Sequence, residues 1–213
     1  MAACPTPPNL INPLRDRVDG LDLPNAPAIR RANVLAYLTA RPRPRALLAG
    51  EAMGWRGGRF SGIAFTSERQ LVAWGPPFAA SSVREGGWTE SSATIIHGVL
   101  DELGAELDVV LWNTVPFHPH PAGRPLANRA PKAAEVALGR PFLERVVALL
   151  APAQVIAVGR VAEGALGDLA TGRVRHPAQG GATACREGLR ALRSEEHTSE
   201  LQSRETISYA VFC

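Results

Sequence analysis

The sequence predicts an α/β fold, a three-layer αβα sandwich on a central, mainly parallel four-stranded sheet. Three observations predict it. Four short apolar runs recur along the chain: "ALLAG" (46–50), "DVVLWN" (108–113), "QVIAVG" (154–159) and "GRVRHP" (172–177). Segments of helical periodicity separate them, and strands that alternate with helices imply parallel pairing with helices on both faces. Polar residues cluster at the carboxyl ends of these runs, where open α/β sheets bind ligands.

In chain order, "APAIRRANVLAYLTA" (26–40) reads as a helix that leads into the first strand, which runs on into Gly50 and Glu51. "TESSATIIHGVLDELG" (89–104) reads as a helix with Thr89 as N-cap and Gly104 as its stop. The second strand ends in Asn113. "KAAEVALGRPFLERVVALL" (132–150) has helical spacing but is expected to break near Gly139 and Pro141, since proline removes a helical hydrogen bond. The third strand runs into Gly159 and is followed by a helix, "VAEGALGDLA" (161–170). The fourth runs into His176 and Pro177. A carboxylate, an amide and an imidazole thereby converge on one sheet edge.

The 213 residues, 46% hydrophobic and 20% charged, suit one ordinary domain with a substantial core. No apolar run reaches membrane-span length, and the N-terminus lacks the basic start and apolar stretch of a secretory signal. The expectation is a monomer without a membrane partner. The three cysteines, Cys4, Cys185 and Cys213, form no C-x-x-C pair, so a disulfide framework or structural zinc is not expected and the cytoplasm is the default compartment. Lys132 is the one lysine among 23 basic residues. Arginine and alanine codons are GC-rich, which points to a GC-rich bacterial genome and weakens the arginine count as a sign of nucleic-acid binding. The segment 193–213, "RSEEHTSELQSRETISYAVFC", breaks the preceding composition and reads as a translated sequencing adapter. The domain is therefore placed at 1–192. Without the two arginines and four glutamates of that segment, the net charge rises from +3 to +5. Such an excess permits a polyanionic partner without demanding one.

The stretch "VVLWNTVPFHPH" (109–120) leaves three readings: a metal site, a capped strand end, or one wall of a pocket. His118 and His120 form an H-x-H pair with no third ligand at metal-site spacing nearby, so no metal is expected. Further motifs surround it: "GEAMG" (50–54), "SGIAF" (61–65), "NRAPKAAEVALGRPFLE" (128–144) and "VRHPAQGG" (174–181). In this order, over roughly residues 46–192, they resemble the uracil-DNA glycosylase superfamily. The first is similar to the G-E-x-P-G loop of its iron–sulfur-containing bacterial families, the second to T-G-x-P-F. The third resembles N-R-x-P…C-R-P-F-L-E, and the last the H-P-[SA] loop. "LWNTVPF" (111–117) matches a strand ending in a base-reading asparagine. Met53 replaces the proline of the first motif, an expected loosening of that loop. Pro116-Phe117 and Gly139 stand where the iron–sulfur families carry cysteines, so the resemblance implies a branch without a cluster or other cofactor.

The resemblance implies excision of uracil from DNA by hydrolysis of its glycosidic bond, after the base is flipped from the duplex into a pocket. Phe65 would stack on the base, Asn113 would read its edge, and Gly50, Ala52 and Gly54 would line the recess. Glu51 would stabilise the cationic sugar or orient water, and a neutral His176 would donate to uracil O2. Arg56, Arg59 and Arg129 would touch DNA, and Gln179 with Gly180 would enter the minor groove. Each residue also has a plainer reading: a helix-end carboxylate for Glu51, a strand-end cap for Asn113, a loop histidine for His176, a core ring for Phe65 and a solvated turn for 54–60. A non-catalytic module that binds damaged or single-stranded DNA, and a hydrolase of small nucleotides, are the rival functions. Gly54 stands where the strictest branch of the superfamily excludes the methyl group of thymine, which leaves the lesion range open.

Overall fold

The computed structural model describes residues 1–192; the segment 193–213 lies outside the described residues. Four parallel strands form the central sheet: β2 (Ala46–Ala52), β3 (Val109–Val115), β5 (Gln154–Val158) and β6 (Gly172–Val174), in the order β3-β2-β5-β6. Every residue of β3 is buried, the mark of a strand covered on both faces. Its register with β2 sets Asn113 beside Gly50.

Helices cover both faces. One face carries α1 (Ala26–Thr39), α3 (Glu68–Trp74) and α4 (Ser91–Glu102), tied together by Trp74, whose ring stacks on Tyr37 and meets His97 edge-on. A last helix, 182–192, joins α4 through the Arg190–Glu102 ion pair. The other layer holds α5 (Ala133–Leu150) and α6 (Arg160–Leu166), linked by Arg140 donating to the carbonyls of Ala165 and Leu166. A short α2 (Gly58–Ser61) follows the β2 loop. Outside the main sheet, β1 (Leu10–Ile11) pairs antiparallel with β4 (His118–Pro119). Among the described residues no helix is long and apolar enough to cross a membrane.

Several boundaries differ from expectation. The helix expected to break at Gly139 and Pro141 is continuous. Gly139 lies so close to β3 that a Cβ would overlap the Thr114 carbonyl and sit 3.1 Å from Val115 Cα, so packing against the strand holds the helix together across the proline. Helix α4 takes Glu90, not Thr89, as N-cap; Gly104 follows its C-cap in the left-handed region, φ +60°, as expected of a stop. The fourth expected helix closes at Leu166 and gives way to a 3₁₀ turn, Gly167–Leu169. Strand β6 ends at Val174, which leaves His176 and Pro177 in the loop beyond it, and β3 continues two residues past Asn113.

Arg59, expected to touch phosphate, is fully buried. Its guanidinium donates to both oxygens of Asp22 at 2.9 and 2.8 Å, and Arg30 donates to the same carboxylate at 3.0 Å. Ser81 connects this group to buried Glu68, which accepts from the backbone N–H groups of Ser81, Ser82 and Trp88. Two arginines and two carboxylates thus form one neutral network under the 54–60 loop. A charge removed from water needs such partners, and no sequence-local feature of "GWRGGRF" announces Asp22.

Candidate active site

A cleft of about 390 Å³ opens at the carboxyl ends of β2 and β3. Its inner wall is Phe65 and Asn113, which meet over Gly50. A Cβ at Gly50 would overlap the Phe65 ring and lie 2.5 Å from Asn113 Oδ1, so glycine is what lets ring and amide converge. Phe65 itself sits at φ +48°, a conformation uncommon for a bulky residue, and is buried to 7% exposure with its ring turned toward His176, 5.9 Å between centroids.

The Asn113 amide is buried and donates from Nδ2 to Met53 Sδ at 3.3 Å. Met53 is firmly seated rather than loosening its loop. Its N–H donates to the Phe117 carbonyl at 3.0 Å, a bond proline could not make, and its own carbonyl lies 2.9 Å from His118 Nδ1. The other His118 nitrogen faces the Pro125 carbonyl at 3.0 Å. Burial pushes the His118 pKa down to about 4, so this histidine is neutral and braces two loops. His120 stacks on it at 5.7 Å. Among the described residues no group of three or more His, Cys, Asp or Glu side chains is placed to hold a metal ion.

Glu51 and His176 stand at the mouth. Burial raises the Glu51 pKa above the ordinary carboxyl value. Burial first, and then the Arg175 charge, lowers that of His176. The Ala178 N–H donates to His176 Nδ1 at 3.1 Å, which fixes the neutral tautomer with its proton on Nε2. Gly159, at φ +91°, makes room for the ring: a Cβ there would press within 3.0 Å of His176 Cβ. Both residues also line an outer groove that continues along Gly159, Arg160, Arg175 and Gln179. Glu51 and His176 therefore form the partition between an inner recess and a basic groove.

The remaining expected residues fall as follows. Ala52 and Gly54 line the cleft, and the space a side chain at 54 would occupy is taken by the Glu90 carboxyl. Arg56 is exposed, over the Trp55 ring at 4.6 Å. Arg129 borders the cleft, but its guanidinium is engaged by both oxygens of Glu135 and by three backbone carbonyls, which makes it a brace. Gln179 and Gly180 form an exposed left-handed turn at φ +53° and +75°. Sequence reasoning missed Glu90, Asn128, Arg160 and Arg175. Arg160 directly follows the third strand and Arg175 precedes His176, so position alone could have flagged both. Asn128 accepts the Trp55 N–H at 2.9 Å, a partnership across 73 residues that no local pattern shows. A second recess, lined mostly by apolar residues around Leu48, Leu100 and Ile156 and bordered by Arg45, Asp108 and Gln154, lies at the opposite sheet edge.

No curated protein sequence matches the chain. Among solved structures it is similar to SMUG2 of Pedobacter heparinus, with a TM-score of 0.58 at 17% identity, over 94% of this chain and 90% of that one. This likeness shows a shared fold. The sequence model of the uracil DNA glycosylase superfamily matches residues 38–205. With most of the chain matched and the sheet order and cleft in place, the protein belongs to the uracil-DNA glycosylase superfamily, a superfamily of DNA glycosylases.

Proposed function

We propose that this protein removes uracil from DNA by hydrolysing the N-glycosidic bond of the flipped-out nucleotide. The observation that carries the reading is the partition: Glu51 and His176 stand between a recess walled by Phe65 and Asn113 and a groove bordered by Arg160 and Arg175. A flipped nucleotide has the same division, a flat base on one side of the glycosidic bond and a sugar-phosphate on the other. In this reading the base enters between Phe65 and Asn113, where stacking contributes about 1–3 kcal/mol. The Asn113 amide offers a donor to uracil O4 and an acceptor to N3–H. As the bond breaks, negative charge develops on uracil and positive charge on the sugar. The Nε2–H of neutral His176 is the donor for uracil O2, and ionised Glu51 stabilises the sugar or orients the attacking water.

Glu51→Gln and His176→Ala should each slow excision by about 10²–10³, the usual effect of one transition-state electrostatic contact. Single-turnover rates on a uracil-containing duplex measure this; near-native rates in both variants would remove the catalytic assignment. Because Glu51 acts ionised and burial raises its pKa, activity should fall as the pH drops through a value above 4.5.

The basic groove takes the place of Arg59 as the phosphate contact. Arg160 and Arg175 are exposed, and among the described residues neither is ion-paired, whereas neighbouring Arg173 is held by Glu163. Arg160→Ala with Arg175→Ala should weaken binding to damaged and undamaged DNA alike. It should also reduce the slope of log K against log salt by about 2, one for each lost phosphate contact. An unchanged slope in a fluorescence-anisotropy titration would place the backbone elsewhere.

A further inference from the structure

Glu90 lies in the cleft yet has no part in the mechanism above. It stands at the head of α4, and its two carboxyl oxygens press against the backbones of Gly54 and Gly57, where a Cβ on either glycine would overlap them. Two glycines thus clear space for this one carboxyl. It borders the same recess as Phe65 and Asn113. Among the described residues it has no salt bridge or side-chain hydrogen bond, in contrast to Glu68 and Glu135, which are saturated by donors. It is not serving as the usual side-chain cap of its helix.

Among the described residues, the charged groups around it leave it without a counter-ion. On the β2 side Glu51 is like-charged. From β4, His118 is neutral, and beyond β6 His176 is a neutral tautomer. Arg129 belongs to Glu135, while Arg56 and Arg84 lie over the rings of Trp55 and Trp88. Burial accordingly raises its pKa to about 7.

We propose that Glu90 is a specificity-determining residue of the base recess, whose neutral carboxyl donates its O–H to the carbonyl oxygen that deamination creates on a base. This rests on the base-excision reading above and adds a second reader to Asn113. Deamination replaces an exocyclic amine, a donor, by a carbonyl, an acceptor. A protonated carboxyl offers the donor that a carbonyl requires. An ionised one has only acceptors, repels the carbonyl, and adds negative charge where the departing base becomes an anion. Asn113 carries both a donor and an acceptor at all pH values; Glu90 makes the reading depend on a proton.

The test compares wild type and Glu90→Gln, whose amide keeps a donor at every pH. Single-turnover excision from a uracil duplex is followed between pH 5.5 and 9. In parallel, anisotropy measures binding to a duplex carrying 2′-fluoro-deoxyuridine, which resists cleavage, against an undamaged duplex. Wild-type excision and lesion-selective binding should fall about tenfold per pH unit above about 7, or roughly 30-fold by pH 8.5, as the neutral acid disappears. Glu90→Gln should lose this alkaline limb in both measurements and keep the acid limb due to Glu51. An alkaline limb of the same midpoint in Glu90→Gln, or none in wild type, overturns the assignment while leaving uracil excision intact. Absence of cleavage at every pH, with lesion-selective binding that still loses its pH dependence in Glu90→Gln, overturns the excision reading and upholds the role of Glu90.

Discussion

Replacing Asn113 by alanine should cost uracil excision roughly 10²–10⁴. The amide is 3% exposed, and in the proposed reading it is the acceptor for uracil N3–H and shares donation to O4 with Glu90. A buried polar group left unpaired costs about 1–3 kcal/mol, and here N3–H loses its acceptor while O4 loses one of its two donors. The amide reaches its working orientation easily, because its present partner, the Met53 thioether, is a weak acceptor that gives up Nδ2–H to a base carbonyl at little cost. Asn113→Asp should behave differently. Cytosine presents a donor at N4 and an acceptor at N3, the reverse of uracil, and a protonated aspartic acid complements it. Weak cytosine excision should therefore appear in Asn113→Asp and grow as the pH is lowered, while Asn113→Ala gains none. Parallel rates on uracil and cytosine duplexes decide this. Undiminished uracil cleavage by Asn113→Ala would reduce Asn113 to a strand residue with no part in recognition.

Asp22→Ala should have the largest effect on stability. It leaves Arg30 and Arg59, both fully buried, without their shared carboxylate. Removing one partner from a buried ionic group costs about 3–5 kcal/mol, a fall of about 6–20 °C in melting temperature for a domain of this size. Burial works to raise the Asp22 pKa, but the Arg59 and Arg30 charges outweigh it and hold it below 3.8. Its contribution is therefore complete at neutral pH and is lost only as acid protonates it at still lower pH. Because Arg59 lies on α2, directly after the loop that carries Gly54 and Gly57, the variant should also excise uracil more slowly where it remains folded. A melting temperature within 2–3 °C of wild type would show that the network is not holding the loop.

The chain's sequence by itself determined the parallel sheet and the edge at which the cleft forms. Apolar runs of strand length, separated by helical spacing, are local patterns, and the residue that follows a strand is carried to the sheet edge by connectivity alone. Glu51, Asn113 and His176 were legible for that reason, and Phe65 through its motif. Only the tertiary structure decided which charges are free. Arg59 looks like a loop arginine until Asp22, 37 positions earlier, folds beneath it. Glu90 looks like a helix-start carboxylate until Gly54 and Gly57 close around it. Helix α5 keeps its proline because Gly139 packs on the Thr114 carbonyl. The physical reason is common to all three. Desolvation and pairing depend on groups brought together from distant segments, and the free energy of a buried charge or a strained helix is set by those neighbours rather than by the residues beside it in the chain.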